Sequence, residues 1–303
     1  MRQGVAPSFV WLPPGPWPDL LSFLRARFPG IDPAVWMRRM QAGEVRAADG
    51  EVLAPDTPYR VGLQVFYYRE VPQEMAVPGK ETVLYRDQRI LVVDKPHFLP
   101  VAPAGRFLHE TLLCRLRRTT GIEDLAPVHR LDRETAGLVV FCIDRALRGP
   151  YQALFRERAV EKEYEAVAAA APGLDFPLTR ASRIVSGSKF FTMQEAPGPA
   201  NAQTRVDVIE RGEHLWRYRL APLSGKTHQL RVHMLNLGLP ILNDLLYPVV
   251  HPVGAEDFER PLQLLARRLA FTDPVSKELL RFESGLALQP LHVGPAQGPA
   301  RQS

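Results

Sequence analysis

The segment running from Pro127 to Ile143 constrains this chain more than any other. It opens with one imidazole, two guanidiniums and two carboxylates inside six residues, His129 to Glu134. It then passes through Thr135-Ala136-Gly137 into the apolar run Leu138 to Ile143. An apolar run of that length, entered through a glycine, is read as a buried strand. A cluster of charges is thereby held against the start of a core element. An acid in that position is either solvated and inert or partly desolvated and tied to an arginine. The second state is that of a candidate catalytic acid.

Composition narrows the class. The chain has 303 residues, 46% of them apolar, enough for one large domain and a small one around a sizeable core. No apolar run reaches the roughly 18 to 20 residues of a membrane span. Met1-Arg2-Gln3-Gly4 is not followed by an apolar segment of signal-peptide type. The two cysteines, Cys114 and Cys142, form no disulfide framework and no paired metal motif, so a cytoplasmic setting is expected. The net charge is +5. Residues 1–78 hold 8 Arg, no Lys and 8 Asp or Glu, which cancel, so the excess lies in the rest of the chain. That balance favours an anionic partner, held mainly by the C-terminal part.

Taken in order, residues 1–18 read as an extended lead-in. Asp19 caps a predicted helix to Phe28, and a second helix spans Asp32 to Ala42. A hairpin turning at Asp49-Gly50 and a strand over Val61 to Tyr68 complete a small unit at 19–71. Residues 72–80 read as a linker. Strands are predicted over Thr82–Tyr85 and Ile90–Val93. A helix follows over 108–120, with Arg115, Arg117 and Arg118 facing outward. Another helix covers Ala146 to Arg158, then a strand Glu161 to Ala169. Residues 172–202 show no readable pattern. A strand pair is expected over Thr204–Ile209 and Leu215–Leu220, and another over Leu264–Phe271 and Leu279–Phe282. Between them Leu223 to His233 passes from a polar loop into an alternating apolar segment. Residues 289–303 read as a disordered tail. Strands outnumber helices and come in hairpins, so the expected class is α+β with a mixed, mostly antiparallel sheet over 81–288.

His129 to Phe141 resembles the signature His-Arg-Leu-Asp-x-x-Thr-Ser-Gly-Leu of the RluA-type RNA pseudouridine synthases. Four further segments resemble that family in the same order: Val92–Pro96, Glu161–Tyr164, Leu223–His233 and Gly238–Tyr247. Residues 19–71 resemble a divergent form of a small RNA-binding domain first known from a small-subunit ribosomal protein. The resemblance implies an isomerase that converts a uridine of ribosomal RNA, large-subunit in particular, or of transfer RNA to pseudouridine. It implies a flipped base, RNA as partner, and no metal or other cofactor. It also implies a monomer.

The resemblance assigns the site residues as well. Asp132 matches the family's essential aspartate, acting either as a nucleophile at the sugar or as a base that removes a sugar proton. Arg231 matches the arginine that pairs with this acid, a task a bidentate contact suits. Tyr164 matches the aromatic that stacks on the base, and Leu230 an apolar wall residue. Arg130 matches an arginine that fills the gap left by the flipped base. His129 is expected to contact the RNA backbone or hold the loop. Three positions depart from the pattern: Ala136 stands for Ser, Lys226 for Arg and Asn243 for Gly. His228 and His233 lack helical metal-ligand spacing, and no Cys or acid completes a set, so no metal site is expected. The alternative is a non-catalytic RNA-binding or ribosome-assembly protein on the same fold.

Overall fold

The computed structural model describes residues 4–70, 74–189, 191–252 and 254–291. It divides into two compact units: Met1–Glu74 with Gly105–His109, and Met75–Ala104 with Glu110–Ser303.

The small unit begins earlier than the sequence suggests. Inside the supposed lead-in, β1 (Ser8–Trp11) forms a strand. It is followed by α1 (Leu20–Arg27), α2 (Pro33–Gln41), β2 (Arg46–Ala47) and β3 (Gln64–Tyr67). Asp19 caps α1 by accepting the Ser22 N–H at 2.7 Å. Asp32 caps α2 from the Ala34 N–H at 2.8 Å, with Pro33 at the first helical position. The sheet runs β1-β3-β2 and covers a core of Leu20, Phe23, Leu24, Trp36, Met40 and Val65. Gly105–His109 belongs here rather than to a helix of the larger unit: the Leu108 and His109 amides donate to the Glu74 carboxylate at 2.9 and 2.8 Å.

In the larger unit the elements are β4 (Thr82–Arg86), β5 (Ile90–Lys95), α3 (Leu112–Thr120), β6 (Ala126–Pro127), β7 (Ala136–Cys142), α4 (Arg148–Arg156) and β8 (Val160–Ala169). They continue with β9 (Leu178–Ser186), β10 (Met193–Ala196), β11 (Ala202–Arg211), β12 (Leu215–Pro222), α5 (Gln229–Asn236), β13 (Leu264–Thr272) and β14 (Leu279–Glu283). Eleven strands form one sheet, ordered β10-β9-β11-β12-β8-β13-β7-β5-β4, with β14 on β13 and β6 on β7. Every pairing is antiparallel except β13 with β7. The α+β class with a mostly antiparallel sheet is therefore the observed one. Among the described residues no helix is long and apolar enough to cross a membrane.

The centre of the sheet is covered on both faces, which is why β5 and β7 are unbroken apolar runs. Leu91, Val93, Val139 and Phe141 pack with Leu112, Leu113 and Leu116 of α3. Ile90, Val92, Leu138 and Val140 pack on the other face with Tyr151, Leu154 and Phe155 of α4. Three findings differ from the sequence reading. The unreadable stretch 172–202 contains β9 and β10. The segment entering His233 is the helix α5, buried nearly all round, so it shows no polar face to betray a helical period. Arg115 of α3 does not face solvent. It binds Glu110 at 2.6 Å and the carbonyls of Val77 and Gly79 at 2.7 and 2.9 Å, fastening the linker to the domain. Of the expected tail, Leu291 packs beside Leu215 and Leu265, and 292–303 lie outside the described residues, as do linker residues 71–73.

One buried histidine ties α5 to the sheet. The His233 Nδ1 lies 2.9 Å from Thr204 Oγ1 on β11, and its Nε2 lies 3.0 Å from Ser182 Oγ on β9. Burial pushes its pKa down to about 4, against the opposing charge of Glu195. The folded protein thus holds a neutral imidazole that the unfolded chain protonates near pH 6.5. The unfolded state binds more protons between those values. The contribution of His233 to stability is therefore complete above pH 6.5 and is lost as pH falls towards 4. At pH 5 the loss is about 2 kcal/mol. The wild-type urea midpoint should be lower at pH 5.0 than at pH 7.5, and His233→Gln should flatten the drop by about that amount. An unchanged wild-type midpoint would contradict this.

Candidate active site

The loop from β6 to β7 carries Asp132, and its backbone is pinned from several sides. Lys95, at the end of β5, is wholly buried. Its Nζ donates to the carbonyls of Leu99, Pro96 and Arg133 at 2.8, 3.0 and 3.0 Å. Those three acceptors match the three donors of an ammonium, although burial pulls its pKa to about 7. The His97 ring nitrogen Nδ1 is 2.7 Å from the Glu134 carbonyl. Thr135 donates its N–H to the Asp132 carbonyl at 3.2 Å, closing a turn. Immediately after it, Gly137 has φ +109°, and a Cβ there would lie 2.3 Å from the Ala266 carbonyl oxygen on β13. Only glycine fits where β7 meets β13.

His129 holds this loop from behind and does not line the pocket. The Val140 N–H donates to its Nε2 at 3.1 Å, and its ring stacks on Phe155 at 4.3 Å between centroids. Burial pushes its pKa to about 3, so it stays a neutral acceptor. Of the two expected roles, contact with the RNA backbone or holding the loop, these contacts are those of the second.

Opposite the loop, residues 223–228 lead into α5. The Gln229 side chain shapes that turn. Its Oε1 accepts from Ser224 Oγ at 2.7 Å and from the Lys226 N–H at 3.1 Å. Its Nε2 donates to the Gln203 carbonyl and to Thr204 Oγ1, each at 2.9 Å. His228 takes a left-handed conformation, φ +52°, just before the helix starts. The next turn then points Leu230 and Arg231 at the acid's loop.

The arginine is paired differently from the expectation. Its bidentate partner is Asp244, with Nε to Oδ2 at 2.8 Å and Nη2 to Oδ1 at 2.6 Å. Its remaining nitrogen, Nη1, faces Asp132 Oδ2 and Glu134 Oε2, each at 3.5 Å. The side chains of Arg231 and Asp244 are 0% and 1% exposed, whereas Asp132 is 25% exposed. Burial alone would lower the Arg231 pKa, but the Asp244 hydrogen bonds outweigh it and raise it. Burial would likewise raise Glu134, yet Arg231 and Arg133 hold it below its ordinary value. A fully buried pair therefore holds a permanent cation beside a carboxylate that stays open to solvent. Asp244 and Glu134 both lie inside segments that carried the family resemblance, which was the available signal for them. Asn243, where the family pattern has Gly, has φ +62°, a conformation asparagine tolerates. Its amide donates to the Pro261 carbonyl at 3.1 Å.

These groups converge on a cavity of about 110 Å³ lined by Arg130, Asp132, Lys162, Tyr164, Lys226, His228, Leu230 and Arg231, among others. That is small beside the roughly 300–1,000 Å³ of sites for larger ligands. One base-sized group suits it, and any longer chain must lie outside. Tyr164, on β8, forms one wall, and its phenol is pushed up by burial first and then by the Asp132 charge. Leu230 forms an apolar side and is 8% exposed. Arg130 is exposed at the rim. Lys162, from the same strand as Tyr164, donates to the Ser224 carbonyl at 3.0 Å. Four of the expected residues thus meet around Asp132, while His129 does not. Lys162, which was not singled out, and His228, weighed only as a metal ligand, also line the cavity.

Residues 89–236 match the family model described as RNA pseudouridylate synthase, a span that holds Asp132, Tyr164 and Arg231. The chain is 34% identical over 208 residues to the dual-specificity RNA pseudouridine synthase RluA of Salmonella typhi, covering 66% of this chain and 91% of that one. It is 29% identical over 302 residues to the ribosomal large subunit pseudouridine synthase C of Yersinia pestis, covering 89% of each. Among solved structures, human RNA pseudouridylate synthase domain containing 1 superposes with a TM-score of 0.56 at 26% identity, over 69% of this chain and 85% of that one. The pocket and the extent of these matches lead to one conclusion: this chain belongs to the RluA-type family of RNA pseudouridine synthases.

Proposed function

We propose that the protein isomerises one specific uridine of large-subunit ribosomal RNA, with Asp132 as the reacting carboxylate. The observation that carries the chemistry is the solvent-open carboxylate that lines the pocket, facing a cation that Asp244 holds in place. Breaking the bond from C1′ to N1, turning the base and bonding C1′ to C5 requires a group at the sugar–base junction. The proton lost from C5 is balanced by one gained at N1. On this reading Tyr164 stacks on the flipped base, Leu230 packs its edge, and Arg231 faces Asp132 and orients its carboxylate. Arg130 enters the stack from the rim. The small unit contacts RNA outside the pocket.

The preference for large-subunit ribosomal RNA rests on extent. The relative named for that substrate aligns over 89% of this chain, whereas the dual-specificity relative aligns over 66%. Transfer RNA remains the second reading, since the higher identity belongs to a relative named for dual specificity and not for ribosomal RNA alone. Mapping pseudouridines in total RNA from cells with and without the protein tests both. One site should vanish from large-subunit ribosomal RNA. Loss from transfer RNA alone supports the second reading, and no lost site contradicts both.

A further inference from the structure

His228 is the one imidazole among the described residues that lines the pocket. Its left-handed backbone is disfavoured for a residue with a Cβ, so the fold holds this side chain in place. Nδ1 lies 2.8 Å from the Tyr247 hydroxyl, and that hydroxyl accepts the Met193 N–H at 2.7 Å. The phenol's own proton then has His228 Nδ1 as its acceptor among the described residues. Nδ1 accepts, so Nε2 carries the ring proton. Nε2 is 3.9 Å from Asp132 Oδ1, too far for a hydrogen bond, and its N–H is left facing the cavity beside the acid.

Two of the other donors near Asp132 are already engaged. Arg231 gives two nitrogens to Asp244 and turns the third to Asp132 and Glu134, and Lys162 is bound to Ser224. Detachment of uracil at N1 leaves its electron pair on the ring, spread onto the carbonyl oxygens. That charge needs a donor while the base turns, and a preorganised one is most effective.

We propose that His228 is a further catalytic residue: a neutral donor, locked in one tautomer by Tyr247, whose Nε2–H binds a carbonyl oxygen of the detached uracil. The imidazole keeps its proton throughout, and the transfer from C5 to N1 does not pass through it. The charged and titratable groups that face it are Asp132, Glu134, Asp244, Arg231 and Tyr247, with Arg130, Lys162 and Lys226 around the same cavity. Burial lowers its pKa more than the neighbouring carboxylates raise it, which keeps the ring neutral at pH 7. The inference rests on Asp132 being the reacting carboxylate.

The test is single-turnover pseudouridine formation on the mapped RNA, with RNA affinity and thermal unfolding measured for each variant. His228→Leu should lower the rate about 10²–10³-fold with affinity little changed. His228→Gln, which keeps an N–H, should recover tenfold or more of that loss. Tyr247→Phe frees the tautomer and should cost roughly tenfold. The wild-type rate should be flat from pH 6.5 to 8.5. A rate that falls as the imidazole deprotonates would make the imidazolium the active form and overturn the proposal. His228→Leu within threefold of wild type, beside an inactive Asp132→Asn, would remove His228 and leave the site reading intact. An active Asp132→Asn would remove the site reading itself. His228→Gln as slow as His228→Leu would mark a structural role. If His228→Leu does not fold, His228→Gln, Tyr247→Phe and the pH profile decide the matter.

Discussion

Asp132→Asn should give a folded protein that binds RNA and makes no pseudouridine. The expected fall in single-turnover rate is at least about 10³-fold, the scale on which loss of an essential nucleophile or proton acceptor is felt. The fold survives because the acid is not part of the structural pair. Arg231 keeps its two bonds to Asp244 whether or not position 132 is charged, and Asp132 is a quarter exposed. Affinity should stay within about threefold, since phosphate contacts dominate it and Asp132 makes none. Normal turnover by Asp132→Asn or Asp132→Ala would sink the assignment.

Arg231→Met should have the largest effect on stability. It leaves the Asp244 carboxylate, 1% exposed, without its bidentate partner. Breaking a buried pair by removing one member costs about 3–5 kcal/mol. For a domain of this size each kcal/mol moves Tm by about 2–4 °C, so a drop on the order of 10 °C is expected. The double variant Arg231→Met with Asp244→Leu leaves no uncompensated charge and should regain part of the loss. Both proteins should be inactive, because Asp132 has lost the cation beside it. Thermal and urea unfolding of the two variants decide the point. A single variant within about 1 kcal/mol of wild type would show that the pair is not structural.

Much of this arrangement is legible from residue order alone. Asp132, Tyr164, Leu230 and Arg231 lie in segments whose motifs name them, and the two-faced burial of β5 and β7 follows from their unbroken apolar runs. What stayed hidden depends on which side chains meet. Arg231 has three carboxylates within reach, and nothing in its spacing says that Asp244, thirteen residues on, takes the bidentate position ahead of Asp132. His129 looks like a binding residue beside Arg130, yet its ring turns back onto Phe155. The helix α5 hides because Gln229 to Met234 are all buried, polar residues included. The strands β9 and β10 hide because they lie towards one edge of the sheet among Gly, Pro and Ser, with little apolar alternation to mark them.

The parallel contact between β7 and β13 has a consequence for the timing of activity. Only two residue pairs make it, Ala136 with Leu265 and Gly137 with Ala266, and the loop bearing Asp132 ends directly on the first of them. Their partners are about 130 positions apart in the chain. A polypeptide growing from its N-terminus has completed Asp132, Tyr164 and Arg231 while the strand that braces the acid's loop is still unmade. By this geometry the acid's loop stays unbraced until β13 has been made, so a chain grown only past Arg231 is expected to hold the site residues without the strand that fixes them.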